Sequence, residues 1–229
     1  QRLAHVSVSS KKKTLIICDL GYGLPKERRP RLEKINAIAK QVVSFLLWQT
    51  TLSESAPASL LFVVNNDSSD DDGEIQSIIL RDRMKHVWKQ EHASLPFPDA
   101  QIAFTKDPLQ DVVVKEFSRD TVVYLSPDAP DVLRDDDNES VEAMIVGMII
   151  DRKQVAVNRS MSRAKQLDVK SARWPLPKDW HPNEPLNVDT ILEGTHDWVN
   201  NNKPLGSAIS DALQRHKLRH PARPHHKCV

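Results

Sequence analysis

The chain has 229 residues, enough for one sizeable hydrophobic core and too few for two. A 39% apolar share and a mean hydropathy of −0.48 suit a globular domain with polar appendages, and no apolar run approaches the roughly 20 residues of a membrane-spanning helix. Two cysteines, Cys18 and Cys228, exclude a disulfide framework and fit a reducing compartment. The net charge of +1 conceals a polarised chain. Residues 1–50 carry Arg2, Lys11, Lys12, Lys13, Lys26, Arg28, Arg29, Arg31, Lys34 and Lys40 against Asp19, Glu27 and Glu33, and no acid follows Asp211. Acids gather instead at 67–74 and 135–139. Such a field attracts phosphate to one side of a molecule, although solvated helix faces and a basic tail leave the same pattern.

Residues 1–13 read as an irregular basic leader. Thr14–Asp19 is short, apolar and rich in β-branched residues, which predicts a buried strand closed by Asp19, with Gly21-Tyr22-Gly23 turning the chain. From Pro25 to Trp48 the apolar residues Leu32, Ile35, Ile38, Ala39, Val42, Phe45 and Leu46 recur at helical steps, and Pro25 suits a first turn. A strand at Leu60–Val64, an acidic turn at Asn65–Gly73, a helix at Glu74–His92, a strand at Gln101–Thr105 and a helix at Pro108–Phe117 follow. Three more strands are expected at Thr121–Leu125, Ala143–Ile150 and Ser171–Trp174, the last stopped by Pro175. After a loop holding prolines and tryptophans, helices at Val188–Val199 and Leu205–Lys217 precede a basic tail at 218–229. The alternation predicts one α/β domain over 14–217, a mostly parallel sheet with helices on both faces.

Candidate chemistry lies between Thr121 and Leu176, where three strand ends each open into a loop. Open α/β sheets bind ligands at such edges. Gly147, without a Cβ, suits close approach of backbone to a ligand or close packing of strand on helix. Asp151 ends its strand as a candidate general base or a turn cap, and Arg152 and Lys153 beside it suit phosphate. Lys26, Arg28, Arg29 and Arg31 oppose the dipole at a helix start, so they point to RNA backbone or to solubilising charge rather than to helix stability. His216, His220, His225, His226 and Cys228 form one basic cluster rather than paired zinc ligands, so no metal is expected. There is no phosphate-cradling glycine loop, Gly-x-Ser-x-Gly elbow or His-Glu-x-x-His motif.

The segments YLSPDAPDVL, IVGMIIDRK and Ala172–Leu176 resemble the tRNA purine-nine N1-methyltransferases of the SPOUT superfamily. Leu186-Asn187-Val188-Asp189 and Asp197-Trp198 are similar to two further family elements. The resemblance implies a C-terminal trefoil knot, S-adenosylmethionine as cofactor and tRNA as partner. It assigns cofactor contacts to Leu125, Ser126, Gly147, Ala172, Trp174, Leu176 and Asn187. It makes Asp151 the base, because guanine must lose its N1 proton to be methylated there. An aspartate closes the first strand in this family as Asp19 does here, but Gly21-Tyr22-Gly23-Leu24 replaces Ser-Phe-Asp-Asp, so Asp19 is expected to serve the strand-end turn.

Other departures are Gly147-Met148 for a double glycine, Asp168 for glycine, Trp174 for leucine and Asp189-Thr190 for Asn-Gln. Bulk from Met148 and Trp174 beside the donor pocket leaves a second reading. In it the chain is a catalytically inactive, RNA-binding scaffold that joins other protein subunits, on tRNA or on rRNA, in organellar RNA processing or mitochondrial ribosome assembly. The divergence favours a mitochondrial over a nuclear or cytosolic location, and no membrane contact is expected.

Overall fold

The computed structural model describes residues 14–21, 27–52, 57–64, 70–148, 158–178, 180 and 186–219, with backbone alone at 70–75. Among the described residues there are six strands: β1 (Leu15–Asp19), β2 (Leu60–Val63), β3 (Ile102–Thr105), β4 (Val122–Leu125), β5 (Ala143–Gly147) and β6 (Lys170–Ala172). They form one sheet in the order β3-β2-β1-β5-β4-β6, with every pairing parallel. The sequences LLFV, VVYL and AMIVG are nearly unbroken apolar runs, as strands covered on both faces require.

The helices are α1 (Arg28–Thr50), α2 (Asp70–Glu91), α3 (Leu109–Glu116), α4 (Asp137–Ser140), α5 (Arg159–Leu167), α6 (Val188–Val199) and α7 (Leu205–Arg219). Alternate strand residues divide them between the two faces. Ile16, Cys18, Phe62 and Val146 pack with α1, α2 and α6, while Val123, Met144 and Ala172 pack with α6 and α7 on the same side. Ile17, Val63, Tyr124 and Ile145 turn the other way, toward α3 and α5. Eleven of the twelve residues of α6 are buried, because α1 and α7 cover what the sheet leaves open.

The strand and helix alternation expected from the sequence is present, with shifted ends. The paired part of β5 stops at Gly147, and Ile149 and Ile150 lie outside the described residues. Helix α2 starts at Asp70, inside the stretch expected to be an acidic turn. Pro25 lies outside the described residues, and Pro30 occupies the first turn of α1, where a missing N–H costs nothing. Helix α5 was not expected. Only Ser160, Ala164 and Leu167 of its nine residues are buried, so a single large apolar side chain marks its inner face and no period is audible. Two left-handed residues bracket it, Asn158 (φ 71°) and Asp168 (φ 55°).

Candidate active site

The chain leaves β1 through α1 on one face and leaves β5 through α5 on the other. The switch point of the sheet therefore falls between these neighbours, where Asp19 pairs with Gly147. Leu125 is level with both Val146 and Ala172, so the ends of β4, β5 and β6 stand side by side. The Ser126 N–H donates to the Ala172 carbonyl (3.0 Å), and the chain after β4 returns to clasp the β6 end. There the Arg173 N–H donates to Asp131 O and the Leu133 N–H to Arg173 O, both at 2.9 Å. Four expected site residues, Leu125, Ser126, Gly147 and Ala172, are thus brought to one edge. Trp174 and Leu176 continue the same loop, and Asn187 precedes α6, whose Val188 packs in one cluster with Met148.

These residues suit an adenosine carrying a sulfonium. None of the seven is charged; Leu125 and Gly147 are half-buried, and Leu176 leaves 38% of its surface exposed. Apolar surface beside loop amides and carbonyls is what such a ligand needs. The Asn187 side chain makes no capping bond, and Gln41 Oε1 accepts the Val188 N–H instead (2.6 Å). The two bulky departures have their own seats. Met148 is 1% exposed, within the cluster of Val146, Val188 and Leu192. The Trp174 ring lies on Gly194 of α6, where a Cβ would come within 2.5 Å of its Cη2.

Asp19 is fully buried. Its Oδ1 accepts the Gly21 N–H (2.8 Å), which is the strand-end turn expected of it. It does more than turn the chain. Oδ2 accepts the Tyr124 hydroxyl (2.8 Å) and Arg163 Nε (2.9 Å), and its carbonyl accepts the Met148 N–H (2.9 Å). A buried carboxylate needs such partners, since an unpaired one costs several kcal/mol, about 3–5 when a partner is removed. Sequence reasoning missed both side chains. Tyr124 had a signal, because a hydroxyl in an otherwise apolar strand needs a partner; Arg163 had none.

Asp151, Arg152, Lys153 and Lys26 lie outside the described residues. Arg28 and Arg29 are exposed and Arg31 half-buried at the start of α1. Since α1 links two parallel strands, that first turn stands at the sheet edge that holds the site. Arg29 pairs with Glu33 at 3.1 Å, an exposed contact worth little. Of the tail histidines, His216 is buried with Nδ1 3.0 Å from Thr190 Oγ1, and His220, His225 and His226 lie outside the described residues. Among the described residues no three His, Cys, Asp or Glu side chains gather as a metal site, and no helix is long and apolar enough to cross a membrane.

Residues 63–217, about two thirds of the chain, match the family described as tRNA (guanine(9)-N(1))-methyltransferase TRM10/TRM10A. No curated protein matches the sequence. Among solved structures, full-length spTrm10 in complex with SAH is 17% identical, with 90% of this chain and 99% of that chain covered and a TM-score of 0.57. Dual-specific Trm10 from Thermococcus kodakaraensis is 20% identical over 86% of this chain and 99% of that one, with a TM-score of 0.56. The yeast arginine methyltransferase SFM1 complexed with MTA is 13% identical over 85% and 79%, with a TM-score of 0.51. At these identities the solved structures share the fold.

Proposed function

The chain belongs to the tRNA (guanine(9)-N(1))-methyltransferase TRM10/TRM10A family, and we propose that it is an S-adenosylmethionine-dependent tRNA methyltransferase acting on a purine N1 nitrogen. The observation that carries this reading is the edge where the loops after β4 and β6, bonded to one another, emerge beside Gly147. Leu125, Ser126, Gly147, Ala172, Trp174 and Leu176 hold the cofactor there, chiefly through backbone groups, with Asn187 at the head of α6. The reading includes the family's trefoil-knotted threading of these loops and a single domain over 14–217. When bound, the cofactor supplies an electrophilic methyl group on a sulfonium.

The chain's own task is to deliver a nucleophile. Guanine N1 holds its proton near neutral pH, and Asp151 takes that proton when it reaches hydrogen-bonding distance. Adenine N1 already offers a lone pair, so Asp151 marks guanine as the preferred base. Arg152 and Lys153 beside it, and Lys26, Arg28, Arg29 and Arg31 at the start of α1, contact tRNA phosphates. Met148 and Trp174, packed into the core, leave the scaffold reading without its physical motive.

Calorimetric titration of the full chain with S-adenosylmethionine and S-adenosylhomocysteine, followed by methyl transfer to tRNA, tests the reading. Micromolar binding and an N1-methylated purine are expected. No heat and no thermal stabilisation by either ligand at millimolar concentration would return the chain to the scaffold reading.

A further inference from the structure

Asp151 falls in the connection 149–157, whose near flank is fastened at the switch point and whose far flank is fastened to the loop after β4 and, through Arg163, to the switch point. On the near side the Met148 N–H donates to the Asp19 carbonyl (2.9 Å). On the far side the Asn158 N–H donates to Asp128 Oδ2 (2.8 Å), and Ser160 Oγ lies 2.7 Å from Ser126 Oγ. Slightly more than one turn into α5, Arg163 Nε reaches Asp19 Oδ2 (2.9 Å) and its Nη2 reaches Oδ1 (3.4 Å). One residue, Asp19, therefore holds the strand end through its backbone and α5 through its side chain.

The seat is shaped for the guanidinium. Asp19 is fully buried and the Arg163 side chain is 21% exposed. A Cβ on Gly21 would lie 2.1 Å from Arg163 Nη2, 2.7 Å from its Cζ and 2.7 Å from Asp19 Oδ1. Glycine at 21 thus leaves the space that the ion pair fills. The pair adds to the Asn158–Asp128 and Ser126–Ser160 bonds in holding α5, whose nine residues with one large buried apolar side chain are held weakly by burial.

We propose that Arg163 is a positioning residue: through Asp19 it fixes α5, and with it the far end of the connection that carries Asp151, relative to the cofactor edge. The inference rests on the proposed role of Asp151 as the base. A base displaced by about 1 Å loses on the order of a hundredfold in rate, so the tie acts on turnover rather than on ligand affinity.

The test compares Arg163→Gln, Arg163→Lys and Gly21→Ala in the full chain. Gly21→Ala keeps both charges and every hydrogen-bonding group while it wedges the guanidinium away, so it serves even where Arg163→Gln fails to fold. For Arg163→Gln and Gly21→Ala, kcat on guanine-containing tRNA is expected to fall about ten- to hundredfold, with the S-adenosylhomocysteine Kd within about threefold of wild type. Arg163→Lys should recover part of kcat. Amide exchange should quicken in α5 and stay unchanged in α6. Wild-type kcat in both variants, or kcat and ligand affinity falling together with the folded fraction, would overturn the inference. Wild-type protein that transfers no methyl group to any tRNA would instead overturn the functional reading, and this inference with it.

Discussion

At the end of β1, Asp19 is buried against Arg163, Tyr124 and Gly21; midway along α6, Glu193 is equally buried between Arg215 and Arg219. The chemistry is alike and the setting is not. Asp19 joins elements distant in sequence at the point where the chain leaves the sheet, so its partners fix loops. Glu193 belongs to a ladder between neighbouring helices. Arg215 meets Glu193 at 2.6 Å and Asp197 at 3.4 Å, Arg219 meets Glu193 and, at 3.5 Å, Asp189, and the Arg215 guanidinium lies 4.6 Å from the Trp48 ring centroid. Burial pushes the Glu193 carboxyl above its ordinary value, against the pull of Arg219 and Arg215. Replacing such a pair whole by apolar groups of similar volume is often neutral, whereas removing one partner is costly. A buried ion pair is thus defined by what it joins rather than by its strength.

The largest effect expected is from Asp19→Ala. It removes the buried carboxylate that the Tyr124 hydroxyl and Arg163 share, and should cost about 3–5 kcal/mol in chemical denaturation. Next is Gly194→Ala, which couples the two regions, since its Cβ would push into Trp174 of the loop proposed to hold the cofactor. About 1–3 kcal/mol of overpacking is expected, together with weaker S-adenosylhomocysteine binding by calorimetry. Asp168→Gly, at the left-handed end of α5, should stabilise by at most about 1 kcal/mol, reduced by loss of the exposed pair with Arg119.

The smallest effect is a slope. Because the folded Glu193 carboxyl is raised, its contribution to stability is present below the unfolded value near 4.5 and is lost as pH climbs through the folded value. The melting temperature of Glu193→Gln should therefore gain on wild type as pH rises from acid toward neutral, while methyl transfer per folded molecule stays at wild type. A loss of turnover in Glu193→Gln matching that in Arg163→Gln would erase the distinction between the regions.

The sequence announced these regions unequally. Strands β1, β2, β4 and β5 were legible because burial on both faces leaves no polar interruption, and α6 was found at Val188–Val199 to the residue. Its role was not. Asp189, Glu193 and Asp197 recur every four residues, and only the fold shows that α7 brings Arg215 and Arg219 against them. Asp19 was legible as a turn because its bond to the Gly21 N–H is local. The bond to Arg163 spans 144 residues, and nothing near either end of the chain segment encodes it. The edge proposed for the cofactor was legible as three strand ends, whereas their side-by-side order is a property of topology alone.

The most direct measurement is single-turnover methyl transfer to tRNA carrying guanine or adenine at the target position, by wild-type chain and by Asp151→Asn. The account predicts N1-methylguanine from wild type, and a loss in Asp151→Asn far greater for guanine than for adenine. Equal loss on both bases would contradict the role of Asp151 as the base, and no transfer to either by wild type would contradict the methyltransferase itself.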